Sequence, residues 1–141
     1  MENNAEKIVS MMYDHDWFSQ WLGIERVLVR PGHCILRMKT RNEMLNGFGI
    51  LHGGIAFSLA DSALAFASNS HGRKSVSVEA SMTYISQVKE GEMITASAEE
   101  MSLSNKIGVY HIGVTRESGE KICFFKGIVY RTGKEWLDDA K

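Results

Sequence analysis

A single charged residue, Asp61, interrupts the otherwise uncharged run Gly54 to Ser70, "GIAFSLADSALAFASNS", and this run limits the folds open to the chain. It contains no proline and no interior glycine, and its alanines and leucines favour an α-helix. A helix that is apolar on nearly every side has to be covered by other parts of the protein. The sequence therefore predicts a buried central helix over about residues 54–70.

The cover is predicted to be β-sheet. After Ser75 come four stretches rich in β-branched and aromatic residues, and turn signals separate them at Glu90–Gly91, Asn105–Lys106 and Ser118–Gly119. They predict a four-stranded antiparallel meander. Upstream, "GIERVLVRPGHCILRMKT" alternates apolar and polar residues on both sides of Pro31–Gly32, which predicts a β-hairpin.

Apolar residues also recur at helical spacing near the N-terminus, which predicts one helix over about residues 5–22, ended by Gly23. A loop, "RNEMLNGFGILHGG", leads into the central helix. With 141 residues the chain has the length of one domain, residues 1–141. Segregated helix and strand runs indicate the α+β class, with a long antiparallel sheet wrapped around the central helix.

The charge balance and the spacing of special residues exclude several function classes. Sixteen Lys and Arg against 17 Asp and Glu leave a net charge of -1, so neither nucleic acid nor a membrane surface is an expected partner. The two cysteines and five histidines lack metal-ligand spacings, and we expect no metal and no disulfide framework. The N-terminal segment does not read as a signal peptide, so we expect a cytoplasmic location.

One ordered set of motifs around the start of the central helix resembles that of a known protein family. Asn46–Gly47, then His52–Gly53–Gly54, then Asp61 eight residues after Gly53, precede the segment "VSVEASMTYISQVKEGE". This order resembles the hotdog-fold acyl-CoA thioesterases, in particular the phenylacetate-degradation (PaaI-type) branch, over nearly the whole chain. The resemblance implies hydrolysis of an acyl-CoA without a cofactor, since CoA is part of the substrate. It also implies a homodimer with paired sheet edges, associating further into a homotetramer.

The Gly53–Gly54 pair lies where the loop meets the central helix. Both backbone N–H groups are expected to be unpaired donors at the positive end of the helix dipole. A glycine lets an acyl carbonyl approach the backbone closely, so these donors could stabilise the oxyanion formed when a thioester is attacked. The alternative is a glycine pair that only fits a tight turn.

Asp61 has no cation at helical spacing, so it must reach a cleft or meet a partner from elsewhere. Eight helical residues rise about 12 Å, so Gly53 and Asp61 of one chain cannot contact the same thioester. Antiparallel pairing of two such helices would join them, which agrees with the composite interface site that the resemblance implies. Asp61 would then act as nucleophile or general base. A buried structural hydrogen bond is the alternative.

Further candidates each have a structural alternative. His52 is expected beside the thioester or as a loop anchor, and Asn46 as a second oxyanion donor or a turn former. The resemblance suggests that Ser77 positions water or substrate. Candidate CoA-binding residues are Tyr84, Ser86, Lys89 and Lys106, with Arg73 and Lys74 less favoured. Candidate walls of the acyl pocket are Met11, Met12, Met44, Phe48, Phe57 and Leu64.

Two other functions compete with hydrolysis. A hotdog dehydratase acting on hydroxyacyl thioesters would also use a histidine and a helix carboxylate, but Pro31 is the one proline of the chain and does not lie near His52. A non-catalytic acyl-CoA sensor would leave the carboxylate of Asp61 beside an apolar ligand without a use, at a cost in free energy. The favoured substrates, phenylacetyl-CoA and its hydroxylated relatives, rest on the resemblance alone, and other aryl or medium-chain acyl-CoAs remain open.

Overall fold

A computed structural model describes residues 4–137. Within that range the helices are Asn4–Tyr13 (α1), Trp17–Leu22 (α2) and Gly53–Asn69 (α3), with a short 3-10 helix at Asn42–Met44. The strands are Glu25–Arg30 (β1), His33–Lys39 (β2), Arg73–Tyr84 (β3), Met93–Leu103 (β4), Ile107–Arg116 (β5) and Lys121–Glu135 (β6).

The six strands form one antiparallel sheet in the order β1-β2-β4-β5-β6-β3. Helix α3 lies along one face of this sheet and contacts every strand. The α+β prediction is therefore confirmed, and the architecture is the one that the hotdog resemblance implies. The predicted hairpin around Pro31–Gly32 is also confirmed, because β1 pairs directly with β2 and Gly32 adopts a left-handed φ of 74°.

The predicted central helix is confirmed with both boundaries one residue earlier, at Gly53 and Asn69. Its sheet-facing side is completely buried and supplies the middle of the core, with Leu59, Ala60, Ala63, Leu64, Phe66 and Ala67. The helix is not covered all round, however. Gly54 and Asp61 are exposed, and Ser58 and Ala65 between and beyond them are half-buried. Asp61 therefore belongs to a narrow stripe of α3 that opens to solvent.

The single N-terminal helix predicted over residues 5–22 is wrong, because the segment forms two helices, α1 and α2, separated at residues 14–16. The Asp16 side chain accepts a hydrogen bond from the Ser19 N–H at 3.0 Å and caps the start of α2. An aspartate that caps a new helix turns the chain, even though the apolar residues keep helical spacing across the break. Gly23, with φ 75°, ends α2 as predicted.

The four-stranded meander is also wrong, because only β4, β5 and β6 follow one another in the sheet. Strand β3 pairs with β6 at one edge, whereas β4 pairs with β2. The turn at Glu90–Gly91 consequently does not close a hairpin: Gly91 donates its N–H to the Thr40 carbonyl, beside the end of β2. The segment between β3 and β4 thus crosses from one side of the sheet to the other.

The two edges of the sheet differ. Strand β1 has six residues, a bulge between Arg26 and Leu28, and several exposed charges, features that discourage pairing with another chain. Strand β3 has twelve residues and exposes apolar side chains, including Val76 (54%) and Val78 (59%). Edge β3 is therefore the one suited to pair with a further strand.

The side chain of Leu64, a fully buried residue of α3, packs directly against the backbone of Gly127 in β6. A Cβ added to Gly127 would lie 2.5 Å from Leu64 Cδ2. We expect Gly127→Ala to lower the free energy of unfolding by about 1–3 kcal/mol, the usual cost of overpacking a core. Chemical denaturation would measure it. The control is Gly113→Ala in β5, where a Cβ meets no atom within 4 Å, and equal stability of the two variants would contradict the prediction.

Candidate active site

The loop before α3 is shaped by Asn46. Its side-chain oxygen accepts hydrogen bonds from the N–H groups of Phe48 at 2.9 Å and Ile50 at 3.4 Å. The turn-forming role predicted for Asn46 is therefore present. The side-chain NH₂ of Asn46 has no acceptor among residues 4–137, and Asn46 lines the pocket described below, so it can still donate to a bound molecule.

His52 caps α3. Its Nδ1 accepts the N–H of Gly54 at 2.9 Å, so the expectation that both glycine N–H groups are unpaired is wrong for Gly54. The N–H of Gly53 has no acceptor within residues 4–137. It is the first amide of a 17-residue helix, where the helix dipole favours negative charge. Of the two glycines, Gly53 is thus the one that keeps the properties expected of an oxyanion donor.

Tyr84, the last residue of β3, covers Gly53. The Tyr84 hydroxyl donates to the Gly53 carbonyl oxygen at 3.0 Å, and a Cβ on Gly53 would lie 3.1 Å from the Tyr84 ring. Burial raises the pKa of Tyr84, so its hydroxyl stays protonated and can donate at neutral pH. Sequence reasoning placed Tyr84 beside CoA but did not foresee this contact, because residues 53 and 84 are joined only by the tertiary fold.

These residues border a pocket of about 480 Å³ at the N-terminal end of α3. His52 and Gly53 contribute polar groups to its lining, which is mostly apolar. The residues lining it are Asn46, Ile50, Leu51, His52, Gly53, Gly54, Ala56, Tyr84, Ile85, Ser86, Gln87, Val88, Ile122 and Cys123. A mostly apolar pocket with a few polar groups at one side is typical of a small-molecule site.

Asp61 lines a second pocket, of about 230 Å³, together with Ser77 and Val129. The structure thus brings together two predicted site residues that are distant in sequence. The Asp61 carboxylate accepts no hydrogen bond from residues 4–137. Surrounding protein atoms raise its pKa above the ordinary aspartate value, and the negative charge of Asp16 raises that pKa further. A carboxylate with a raised pKa in a pocket is a candidate acid–base or nucleophilic group.

A hydrogen-bonded chain that sequence reasoning missed holds the start of α2 against α3 near Asp61. The Ser19 hydroxyl donates to Asp16 at 2.6 Å and lies 2.8 Å from the hydroxyl of Ser62, the neighbour of Asp61. Ser19 and Ser62 are both buried. The signal in the sequence was the spacing Asp16-x-x-Ser19, which is typical of a helix N-terminus.

Within one chain the two groups of residues stay apart. Gly53 and Asp61 line different pockets, and eight residues of α3 separate them by a rise of about 12 Å. Asp61 lies with Ser77, whereas Asn46, His52 and Tyr84 lie with Gly53. The structure therefore presents two half-sites, one around Gly53 and one around Asp61.

The candidate CoA-binding residues do not form one cluster. Ser86 lines the larger pocket, but its hydroxyl donates to Glu120 at 3.0 Å. The side chain of Lys89 is exposed in the same connection between β3 and β4. The Lys106 carbonyl accepts a hydrogen bond from the N–H of Arg131 in β6. Arg131 lies eight residues along that strand from Cys123, which lines the larger pocket, and eight strand residues span about 26 Å. Lys106 is therefore remote from the Gly53 half-site of its own chain.

The less favoured cations and the candidate acyl walls also lie outside the larger pocket. Arg73 donates to the side chain of Asn105 at 3.3 Å, and the Lys74 ammonium lies 5.0 Å from the ring centre of Trp136. Met44 is buried near His52 and Leu64 lines the Asp61 pocket. The other four candidate wall residues, which line neither pocket, are Met11, Met12, Phe48 and Phe57.

Comparison with known proteins identifies the family of the chain. Residues 48–123, more than half of the chain, match the family model described as the thioesterase superfamily. The chain belongs to the thioesterase superfamily. It is 31% identical over 133 residues to the acyl-coenzyme A thioesterase PaaI of Escherichia coli K12, covering 94% of this chain and 95% of that protein. It is 30% identical over 125 residues to human acyl-coenzyme A thioesterase 13, covering 86% and 89%.

A solved structure agrees with this assignment. The PaaI protein of the Escherichia coli phenylacetic acid degradation operon superposes on this thioesterase with a TM-score of 0.92 at 30% identity, covering 94% of this chain and 96% of that one. The expected PaaI-type hotdog thioesterase is therefore confirmed, and the chain is a thioester hydrolase. No helix among the described residues has the length and apolar character needed to span a bilayer.

Proposed function

We propose that this thioesterase hydrolyses an acyl-CoA to a free acid and CoA. The observation that carries the proposal is the free Gly53 N–H at the positive end of α3, which opens onto a mostly apolar pocket. Such a donor stabilises the negative charge that appears on the thioester oxygen when the carbonyl carbon is attacked. The relatives named acyl-CoA thioesterases support CoA as the leaving group.

The proposed reaction uses two hydrogen-bond donors to the thioester oxygen and one carboxylate. The Gly53 N–H, with the Asn46 amide as second donor, holds the oxyanion. Asp61 either removes a proton from a water that attacks the carbonyl carbon, or attacks it directly and forms an anhydride that water then cleaves. In both cases the carbon–sulfur bond breaks and the CoA sulfur leaves as a thiolate. In the first route that thiolate takes the proton that Asp61 removed from water, and in the second route it takes a proton from solvent. Ser77, beside Asp61, is proposed to orient the water or the substrate.

We propose further that two chains complete each site. Strand β3 offers a long open edge, and α3 has an exposed stripe beside it. Gly53 lies near Tyr84, and Asp61 lies near Ser77. A two-fold axis beside Phe57, in the first half of α3, brings Gly53 opposite the partner's Asp61. An axis between Ala80 and Ser81 of β3 brings Tyr84 opposite the partner's Ser77.

The long exposed edge of β3 and the separation of the two half-sites support a homodimer with antiparallel β3 edges. Each composite site then contains one Gly53 half-site and one Asp61 half-site. Further association into a homotetramer is proposed from the family resemblance. Both cysteines are buried free thiols, which supports the proposed cytoplasmic, reducing location.

The proposed acyl group is phenylacetyl or hydroxyphenylacetyl, with other aryl or medium-chain groups as alternatives. A pocket of about 480 Å³ with apolar walls has room for any of these groups. For the CoA phosphates we propose the exposed Lys89, in the same connection as Ser86 and next to the larger pocket. Lys106 could contribute only to a site completed by its partner chain, because it is remote from the Gly53 half-site of its own.

The proposed function is tested by release of free thiol from a panel of aryl and alkyl acyl-CoAs, followed with a thiol-reactive dye. Turnover that is faster for one acyl class supports hydrolysis and names the substrate class. A folded protein that binds acyl-CoA but releases no thiol from any member of the panel would overturn the proposal.

The charge of Asp16 should appear in the pH dependence of this reaction. Asp61 has to be ionised to act as base or nucleophile, so activity is lost as pH falls through its raised pKa. Asp16→Asn removes the charge that contributes to this rise, yet asparagine still caps α2. We expect the acid limb of the kcat/KM profile to move to lower pH. An acid limb that stays at the wild-type position, as in the Asp14→Asn control, would contradict this coupling.

A further inference from the structure

One peptide group, between Gly53 and Gly54, joins two side chains of the Gly53 half-site. Its carbonyl accepts the Tyr84 hydroxyl at 3.0 Å, and its N–H donates to His52 Nδ1 at 2.9 Å. A Cβ on Gly53 would lie 3.1 Å from Tyr84, and one on Gly54 would lie 3.1 Å from His52 Nδ1. The two glycines therefore allow both side chains to close on the same peptide.

This arrangement fixes the tautomer of the neutral His52 ring. An N–H that points at Nδ1 requires a lone pair there, so the neutral ring carries its proton on Nε2. Hydrogen bonds in a row polarise one another. The hydrogen bond from the Tyr84 hydroxyl to the Gly53 carbonyl thus strengthens the hydrogen bond that the Gly54 N–H of the same peptide donates to His52. His52 borders the larger pocket, where its Nε2–H has no acceptor among residues 4–137.

We propose that Tyr84 is a positioning residue for thioester cleavage, which acts through the Gly53–Gly54 peptide to hold His52 as the Nε2–H tautomer, a donor to the substrate. The inference rests on the proposed function, and it gives Tyr84 a role other than binding CoA. It also excludes His52 Nδ1 as a general base, because that atom is occupied by the Gly54 N–H.

The first test removes only the hydroxyl. Tyr84→Phe keeps the ring over Gly53, and we expect kcat to fall roughly five- to tenfold, the effect of one hydrogen bond, with a smaller change in KM. NMR of the free protein should show faster solvent exchange of the Gly54 amide proton and a loss of the single Nε2–H form of His52. The matched control is Tyr130→Phe, an exposed tyrosine of β6 outside the pocket.

The second test separates capping from donation. Asparagine at position 52 keeps an acceptor in the place of Nδ1 for the Gly54 N–H, but it has no donor in the place of Nε2–H. Glutamine is the converse, with an N–H near the place of Nε2 and no acceptor in the place of Nδ1. His52→Asn should keep the wild-type Tm and lose kcat by roughly tenfold or more. If His52 only capped the helix, His52→Asn would turn over at the wild-type rate, and the proposal would be overturned.

A double-mutant cycle completes the test. Because Tyr84 acts through His52, adding Tyr84→Phe to His52→Asn should cause almost no further loss of kcat. Fully additive losses would show that Tyr84 acts on the substrate by itself. The two NMR signals do not need a substrate: if no acyl-CoA is hydrolysed, they still show whether Tyr84 controls His52, so failure of the link and failure of the proposed function are distinguishable.

Discussion

Asp61→Asn is expected to lower kcat by about 10²-fold or more, the scale of losing an acid–base or nucleophilic group, while acyl-CoA still binds. Asparagine has nearly the same shape as aspartate, and no residue between 4 and 137 donates a hydrogen bond to the Asp61 carboxylate, so the folded state loses no contact. Thiol release and calorimetric titration with an acyl-CoA would separate turnover from binding.

The same change should raise Tm at neutral pH. The pKa of Asp61 is raised in the folded state, so the folded protein binds this proton more tightly than the unfolded chain does. Ionised Asp61 therefore weakens folding, and this loss begins as pH rises above the ordinary aspartate pKa. Asparagine carries no charge, so Asp61→Asn avoids this loss of stability. The Tm difference should shrink as pH falls towards the ordinary aspartate range, about 3.9.

Two outcomes would contradict this account of Asp61. One is Asp61→Asn turnover within a fewfold of the wild type, which would remove the carboxylate from the chemistry. The other is a lower Tm at neutral pH, which would give the carboxylate a structural role. Asp14→Asn is the matched control, since Asp14 is exposed between α1 and α2, and we expect neither its kcat nor its Tm to change appreciably.

The second large effect is expected from mixing two inactive variants. Asp61→Asn destroys one half-site, and Gly53→Val destroys the other, because its Cβ alone would lie 3.1 Å from Tyr84 and its methyl groups would enter the pocket. In a mixed dimer one site combines the intact Gly53 of one chain with the intact Asp61 of the other. Random mixing makes half of the dimers mixed, with one good site in two, so about a quarter of wild-type activity should return.

The mixture is formed by co-expression, or by unfolding and refolding the two variants together, so that the chains pair at random. A doubly substituted chain, carrying both changes, is the control and should restore nothing when mixed with Asp61→Asn. Recovery near a quarter would establish sites built from two chains. No recovery from dimers shown to be mixed would mean that each chain completes its own site, in conflict with the two separated pockets.

Local patterns predicted much of the fold. The length and apolar character of the run after Gly54 predicted α3 to within one residue at each end, because no competing structure suits so many alanines and leucines. The break between α1 and α2 was missed because apolar spacing continues through it, although Asp16 signalled the cap. The place of β3 could not be read from its own residues, because strand order depends on pairing between distant segments.

The candidate site also has residues that local sequence predicted and contacts that only the tertiary fold creates. Asp61 drew attention because a lone carboxylate on an apolar helix needs a physical reason, and the structure gives it a pocket shared with Ser77. The bond from Gly54 to His52 and the contact of Tyr84 with Gly53 needed three-dimensional packing. Turn signals alone suggested Lys89 and Lys106, and the fold separates them because neighbouring turns of a sheet lie at opposite ends.

The unequal edges of the sheet also affect how activity responds to dilution. In the proposed pairing, β3 is occupied by its own copy, and the bulge and charges of β1 discourage further pairing, so growth of the sheet itself stops at two chains. A newly made chain would be inert towards thioesters until it met another copy. At concentrations where most chains are unpaired, the thioesterase activity would then rise with the square of the chain concentration.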